Sequence, residues 1–161
     1  MKRTIIFVAL LLLVGAVANA QVCTIVSLGS ADVDIGGGGP PNNDANLSLI
    51  AIEKCDGTVR GHIQDTWAGG VSIHAEVTCL YVDGNDAWIS GLITKVTPAA
   101  FFDDLSGVPV SIRVRDNGKF QDDPPDQASF MFFNEEAIDC YDRPEYELFD
   151  LVNGQAQIKE R

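Results

Sequence analysis

The stretch that decides the fold is TVRGHIQDTWAGGVSIHAEVTCL, residues 58–80. Its two runs, Thr58 to Asp65 and Val71 to Leu80, alternate apolar and polar side chains, and residues 66–70 between them contain two glycines. Alternation with a period of two is typical of strands with one buried face, and a short glycine-containing loop joins antiparallel neighbours. The stretch therefore predicts a β-hairpin.

The register of this hairpin follows from its symmetry. Pairing centred on Ala68 predicts three cross-strand pairs, which are Ile63 with Ile73, His62 with His74, and Arg60 with Glu76. One face of the hairpin is then apolar and includes Cys79, while the other face carries the polar side chains. We expect Cys79 to lie toward the core.

The remainder of the chain continues in the same pattern. Gly, Pro and Asn-Gly turn signals separate further short apolar runs, and no window of a dozen residues has helical periodicity. Seven to nine strands in local succession predict an all-β fold, an antiparallel meander that is closed as a barrel or flattened into a sandwich. Residues 21–161, which contain no linker or internal repeat, form one predicted domain.

Residues 1–20 have the pattern of a cleaved signal peptide. Lys2 and Arg3 precede an apolar run from Thr4 to Val17, and Ala18 and Ala20 place small residues at positions −3 and −1 of a cleavage site. The alternative is a membrane anchor, for which the uncharged run is short. Cleavage predicts a secreted or periplasmic protein with no membrane association in its mature form.

The charge of the chain excludes one class of partner. The sequence has 11 Lys and Arg against 23 Asp and Glu, a formal net charge of −12. Loss of Lys2 and Arg3 with the signal leaves 9 basic residues against 23 acidic ones, or −14. Such a chain repels phosphate backbones and anionic lipid surfaces, so we expect no nucleic-acid partner.

The four cysteines, Cys23, Cys55, Cys79 and Cys140, predict two disulfides, because an even number in an exported domain favours bridges. A metal site or a redox pair needs closer spacing than these residues have. Three connectivities are open. Antiparallel pairing of the first two strands sets Cys23 beside Cys55 and favours that bridge.

The polar face of the hairpin is the first candidate site. His62 and His74 are the two histidines of the chain, with Glu76 as a third candidate ligand and Arg60 nearby. A catalytic zinc site needs three protein ligands and an open position. If this face lines a polar lumen, the four residues predict a small secreted hydrolase or cyclase-like enzyme. If it faces solvent, they form an exposed ion pair beside two imidazoles.

The second candidate site is the acidic loop, residues 116–126. Calcium binds six to eight oxygens from such loops, although Asp and Asn also stabilise turns without any ion. The predicted ligands are Asp116, Asn117, Asp122, Asp123 and Asp126. No other cofactor is expected.

Aromatic side chains are the third set of candidates, because they stack on sugars or apolar ligands. Trp67 in its glycine-flanked loop is the one that we expect to be exposed. The others are Tyr81, Trp88, Phe101 and Phe102.

Several segments are similar to a known family. They are Gly61, Ile73 to Leu80, Gly84 to Gly91, Asp116 to Gly118 with residues 124–127 after it, and Val152 to Ile158. Together they resemble the post-COAP domain of bacterial secreted and surface proteins, over about two thirds of the mature chain. The resemblance implies secretion and an all-β fold, attaches no catalytic residues, and favours a Cys79–Cys140 bridge.

Motifs for common enzymes are otherwise missing from the sequence, which has no G-x-S-x-G or H-E-x-x-H. We therefore expect an exported, disulfide-stabilised β-domain that acts as a binding or structural module. Its partner is a glycan, a small molecule or a surface protein. The enzyme built around the two histidines is the alternative.

Overall fold

The computed structural model describes residues 21–33, 46–67, 70–97, 105–118 and 122–161. The predicted signal peptide and Phe101 and Phe102 lie outside these ranges. Within them, no helix is long and apolar enough to cross a membrane. Nine strands, β1 to β9, cover Val22–Val33, Asn46–Lys54, Val59–Trp67, Val71–Asp83, Asp86–Thr97, Pro109–Arg115, Gln127–Ala128, Phe132–Phe133 and Phe149–Glu160.

The strands form one antiparallel sheet that closes on itself. The hydrogen-bonded order is β5-β4-β3-β2-β1-β9-β7-β6-β8, and an additional pairing joins β5 to β6. Eight strands therefore complete a ring, with β8 paired to β6 beside it. The predicted all-β antiparallel fold is confirmed. Ring closure satisfies the backbone groups that an open sheet would leave at its two edges.

The core lies inside this ring, because alternate side chains of each strand point inward. Leu80 on β4 pairs with Ile89 on β5, and Ile89 pairs in turn with Ile112 on β6. All three side chains are at most 1% exposed. Burial of each side chain of this size stabilises the fold by about 2 kcal/mol.

The predicted hairpin is present, but its predicted register is wrong by two residues. His62 lies opposite Glu76, and Gln64, not His62, lies opposite His74. The reason is that Trp67 still belongs to β3, where it pairs with Val71, so the loop is shorter than expected. An even shift keeps every side chain on its predicted face, because the side-chain period is two.

The predicted orientation of Cys79 is also wrong. The pairing of β4 with β5 shifts between Val77 and Cys79, as in a β-bulge, so the alternation changes phase there. Leu80 then points into the core, while Cys79 lies opposite Ser90 on the outer face. A bulge of this kind re-aims side chains without ending the strand.

Both disulfides connect the predicted partners. Cys23 is bonded to Cys55 and Cys79 to Cys140, and the described residues include no free cysteine. The first bridge joins the beginning of β1 to the turn after β2. At the same end, the backbone N–H of Arg161 donates to the carbonyl of Cys23 at 2.9 Å. The last residue of the chain therefore lies beside the beginning of β1.

The ring is thinnest where β7 meets β9, because these strands pair over only two residues each. Farther along β9, two aspartates of the acidic loop take the place of a neighbouring strand. Asp126 Oδ2 accepts the backbone N–H of Ala156 at 2.8 Å, and Asp116 Oδ2 accepts that of Ile158 at 2.9 Å. We call the contact between the acidic loop and β9 the seam. Side-chain oxygens complete its hydrogen bonding, as buried backbone donors require.

Candidate functional site

A segment between β8 and β9 covers part of the outer surface of the ring. We call residues 134–148 the strap. It contains the 3-10 turn Cys140–Asp142, whose first residue is bonded to Cys79 on β4. The strap thereby lies across the outer face of β4, β5 and β6.

Trp88 and Ser111 explain why the strap lies there. Both are on the outer face, yet Trp88 is 8% and Ser111 2% exposed. The Trp88 Nε1–H donates to the carbonyl of Pro144 at 3.0 Å, and the Ser111 hydroxyl is 2.6 Å from that of Tyr146. A buried indole N–H or hydroxyl needs such a partner. The strap supplies both hydrogen-bond partners, and these two bonds hold it against the sheet.

Between one side of the strap and the outer face of β5 and β6 is an open pocket of about 310 Å³. This volume lies at the lower end of the range for small-molecule sites. The lining residues are Trp88, Arg113, Asp142, Arg143 and Glu145. Four of these five residues carry charge, so the pocket offers hydrogen-bonding groups around one aromatic ring.

Arg113 lies over the ring of Trp88, with its guanidinium carbon 5.0 Å from the ring centroid. Its guanidinium also pairs with Asp86 at 2.9 Å, and the same carboxylate accepts Arg115 at 2.9 Å. The side chains of Arg113 and Asp86 are only 16% and 13% exposed. An ion pair shielded in this way holds its geometry, so this wall of the pocket is rigid.

Arg143 has a different constraint. It is the sole non-glycine residue of the described ranges with a positive φ, at 50°. Its guanidinium pairs with Asp83 at 2.9 Å and lies 5.8 Å from the ring centroid of Tyr81. A left-handed conformation stores backbone strain for a residue with a Cβ, and such strain is concentrated at functional sites. The Cys140 bridge three residues earlier holds the chain in this path.

Asp142 and Glu145 complete the pocket from the strap. Both are exposed, and their carboxylates form no hydrogen bond or ion pair with any other residue that the structure describes. The arginines of the pocket are paired with carboxylates from β4 and β5, whereas these two acids are not. Their oxygens are therefore available to a ligand.

The histidine face lies elsewhere. Arg60, His62 and Glu76 are exposed and His74 is half-buried, all on the outer face of β3 and β4. The lumen behind them is filled by apolar side chains such as Ile63 and Ile73. These residues do not build the polar lumen on which the enzyme alternative depended.

Two of the predicted calcium ligands have a structural role. Asp116 and Asp126 accept backbone N–H groups at the seam, and Asp126 Oδ1 accepts in addition that of Asn117 at 2.7 Å. Asp122 is exposed and Asp123 is half-buried. Among the described residues, the one group of three potential metal ligands is Cys79, Asp139 and Cys140, whose sulfurs form the disulfide. Calcium binding stays a prediction.

The expectation that Trp67 is an exposed loop residue is wrong, because it belongs to β3, is half-buried and packs against the core. Its Nε1–H donates to Asp65 at 2.7 Å, and its ring meets that of Phe133 edge-on at 6.3 Å. Asp65 is 5% exposed, and its Oδ1 has no hydrogen-bond partner. Burial raises the pKa of this carboxyl group, and the bond from Trp67 opposes the change.

Of the other aromatic candidates, the structure brings Tyr81 and Trp88 together, with ring centroids 6.1 Å apart. Sequence reasoning missed the charged residues around them, because Asp142, Arg143 and Glu145 lie in an irregular segment without periodicity. The signal that was present is Cys140. A disulfide to that residue has to bring its neighbours onto the sheet.

No protein-family model matches this chain, and neither does any curated protein or solved structure.

Proposed function

We propose that this protein is an exported binding module whose strap pocket holds one unit of a saccharide. The observation that carries the proposal is the pocket itself. Its walls are fixed by an ion pair and a disulfide, and Arg143 is held there in a strained conformation. A preorganised site loses little conformational entropy when it binds.

The chemistry of the lining favours a saccharide over the other two classes of partner. An apolar molecule would have to remove water from four charged side chains, which is unfavourable. A protein partner would need an interface of roughly 800 Å² on each side, or about 20–30 residues, whereas five residues line this pocket. A sugar ring, in contrast, offers hydroxyl groups to carboxylates and guanidinium groups on its edge and C–H groups to an aromatic ring.

Export is part of this proposal. It is supported by the signal-like pattern of residues 1–20 and by two disulfides, which persist in oxidising compartments. The resemblance to the post-COAP domain points in the same direction. Mass spectrometry of the protein recovered from its native host tests it, because cleavage after Ala20 leaves a chain that begins at Gln21 and contains no free thiol.

The binding proposal is tested by titrating the oxidised protein with soluble oligosaccharides in a calorimeter. Arg143→Gln removes the guanidinium from the pocket and keeps a side chain at the same backbone position. We expect it to weaken binding by about tenfold, since a hydrogen bond to a charged group contributes about 1.5 kcal/mol.

Arg60→Gln is the matched control, because Arg60 is an exposed arginine on the outer face of β3. It should bind as the unchanged protein does. Equal affinity of the Arg143→Gln variant would place the binding site elsewhere, and a lack of binding across neutral, cationic and anionic oligosaccharides would refute the proposal.

A further inference from the structure

The charges at the strap pocket are not balanced. Around the pocket and the ion pairs that brace it are three guanidinium groups, from Arg113, Arg115 and Arg143. Four carboxylates accompany them, from Asp83, Asp86, Asp142 and Glu145. The local charge is therefore negative, and the formal charge of −12 for the whole chain has the same sign.

The charge that a ligand can reach is more negative than this count indicates. Asp86 and Asp83 hold the three guanidinium groups at 2.9 Å, and ring faces cover two of these groups. Asp142 and Glu145 have no such partner among the described residues, and both are exposed at the pocket. A ligand that enters thus meets unpaired carboxylates and guanidinium groups that are already paired.

From this imbalance, and on the basis of the proposed saccharide site, we infer that the ligand carries a protonated amine. An ammonium group on the sugar supplies the counter-charge that Asp142 and Glu145 lack. A uronic acid in the same place adds a further negative charge to an acidic site. Amino sugars are therefore the class of ligand that the pocket selects.

The size of the selectivity follows from ordinary surface ion pairs. Exposed pairs contribute about 0.2–1 kcal/mol each, so two of them change affinity by about two- to thirtyfold. Because such pairs are screened by ions, the selectivity should fall as salt is added.

The experiment compares two oligosaccharides of equal length, an oligomer of glucosamine and one of N-acetylglucosamine. They differ at the amine alone, which is charged in the first and neutral in the second. An oligomer of galacturonate is the anionic probe. Titrations of the oxidised protein at mildly acidic pH keep the amines of the glucosamine oligomer protonated.

We expect the glucosamine oligomer to bind about two- to thirtyfold more tightly than the acetylated one, and the galacturonate oligomer to bind most weakly. Glu145→Gln and Asp142→Asn should each reduce the ratio of the first two affinities. Glu160→Gln, an exposed acid at the end of β9, is the matched control and should leave that ratio unchanged.

Two other results separate the inference from the function on which it rests. Equal binding of the two glucosamine derivatives, or preference for galacturonate, with binding still weakened in Arg143→Gln, overturns the amine and keeps the saccharide site. Absence of binding by all three oligomers overturns both.

Discussion

The carboxylate of Asp126 accepts the backbone N–H of Ala156 through Oδ2 at 2.8 Å and that of Asn117 through Oδ1 at 2.7 Å. One side chain therefore binds the acidic loop to β9. Since Asp126 is 8% exposed, both bonds are shielded from water. The ring is closed at this point by a side chain and not by strand pairing.

Replacement of Asp126 should open the seam. Asp126→Ala leaves two backbone donors without acceptors, and each unsatisfied buried group costs about 1–3 kcal/mol. We expect the free energy of unfolding to fall by about 2–4 kcal/mol in a urea titration of the oxidised protein. Asp122→Ala, at an exposed position of the same loop, should change it by less than about 0.5 kcal/mol.

The same pair of variants tests calcium. If the loop binds this ion through Asp122 and Asp126, a chelator lowers the melting temperature of the unchanged protein and has no effect on either variant. If Asp126 acts at the seam alone, the chelator leaves all three proteins unaffected, and this result would contradict the calcium prediction.

The stability contribution of Asp65 should depend on pH. Burial raises its pKa in the folded state, so the neutral form is favoured by folding. The stabilisation is complete below the ordinary aspartate pKa and is lost as pH rises through the raised value. Asp65→Asn cannot ionise, so its melting temperature relative to the unchanged protein should increase from acidic to neutral pH. A pH-independent difference would contradict this prediction.

The two disulfides should have different consequences when removed. Either double replacement by alanine relaxes a closed loop, and the loop lengths predict a loss of about 4 kcal/mol in each case. Loss of Cys79–Cys140 also frees the strap, so the Trp88 indole becomes hydrated and its fluorescence shifts to longer wavelength. Loss of Cys23–Cys55 should leave this fluorescence unchanged, and equal spectra for the two variants would refute the assigned role of the strap.

Gly91 should tolerate no side chain. A Cβ at this position would lie 2.4 Å from the carbonyl oxygen of Glu76 on the neighbouring strand, and backbone cannot move aside easily. Gly91→Ala should therefore destabilise the protein by about 1–3 kcal/mol in thermal or urea unfolding. Gly29→Ala is the control, because a Cβ there meets no atom within 4 Å. Equal stability of the two variants would contradict the proximity of β4 and β5 at Gly91.

The elements that could be predicted from sequence are those with a period. Alternation around Ile63 and Ile73 correctly indicates two strands and their inner face. The register could not be obtained in this way, since the turn is decided by whether Trp67 continues β3, and a tryptophan fits a strand as well as a loop. The bulge before Cys79 could not be predicted either, because it depends on the pairing of β4 with β5 and not on a local motif.

The candidate site escaped prediction for a related reason. Arg113 is read from sequence as an ordinary solvent-facing residue of a strand, and Glu145 as part of an irregular connection. Both residues line the same pocket because Cys140 and Pro144 hold the strap on the outer face. Contacts between residues so far apart in sequence depend on the closed ring, which no local pattern encodes.

The bond between Arg161 and Cys23 has a topological consequence. Since the described chain begins and ends at neighbouring points of the ring, a short peptide could connect residue 161 to residue 21 without disturbing any strand. New termini could then be opened at Gly57, in the exposed turn between β2 and β3. The fold is therefore suited to circular permutation and to insertion within a loop of a host protein, with the strap pocket intact in both arrangements.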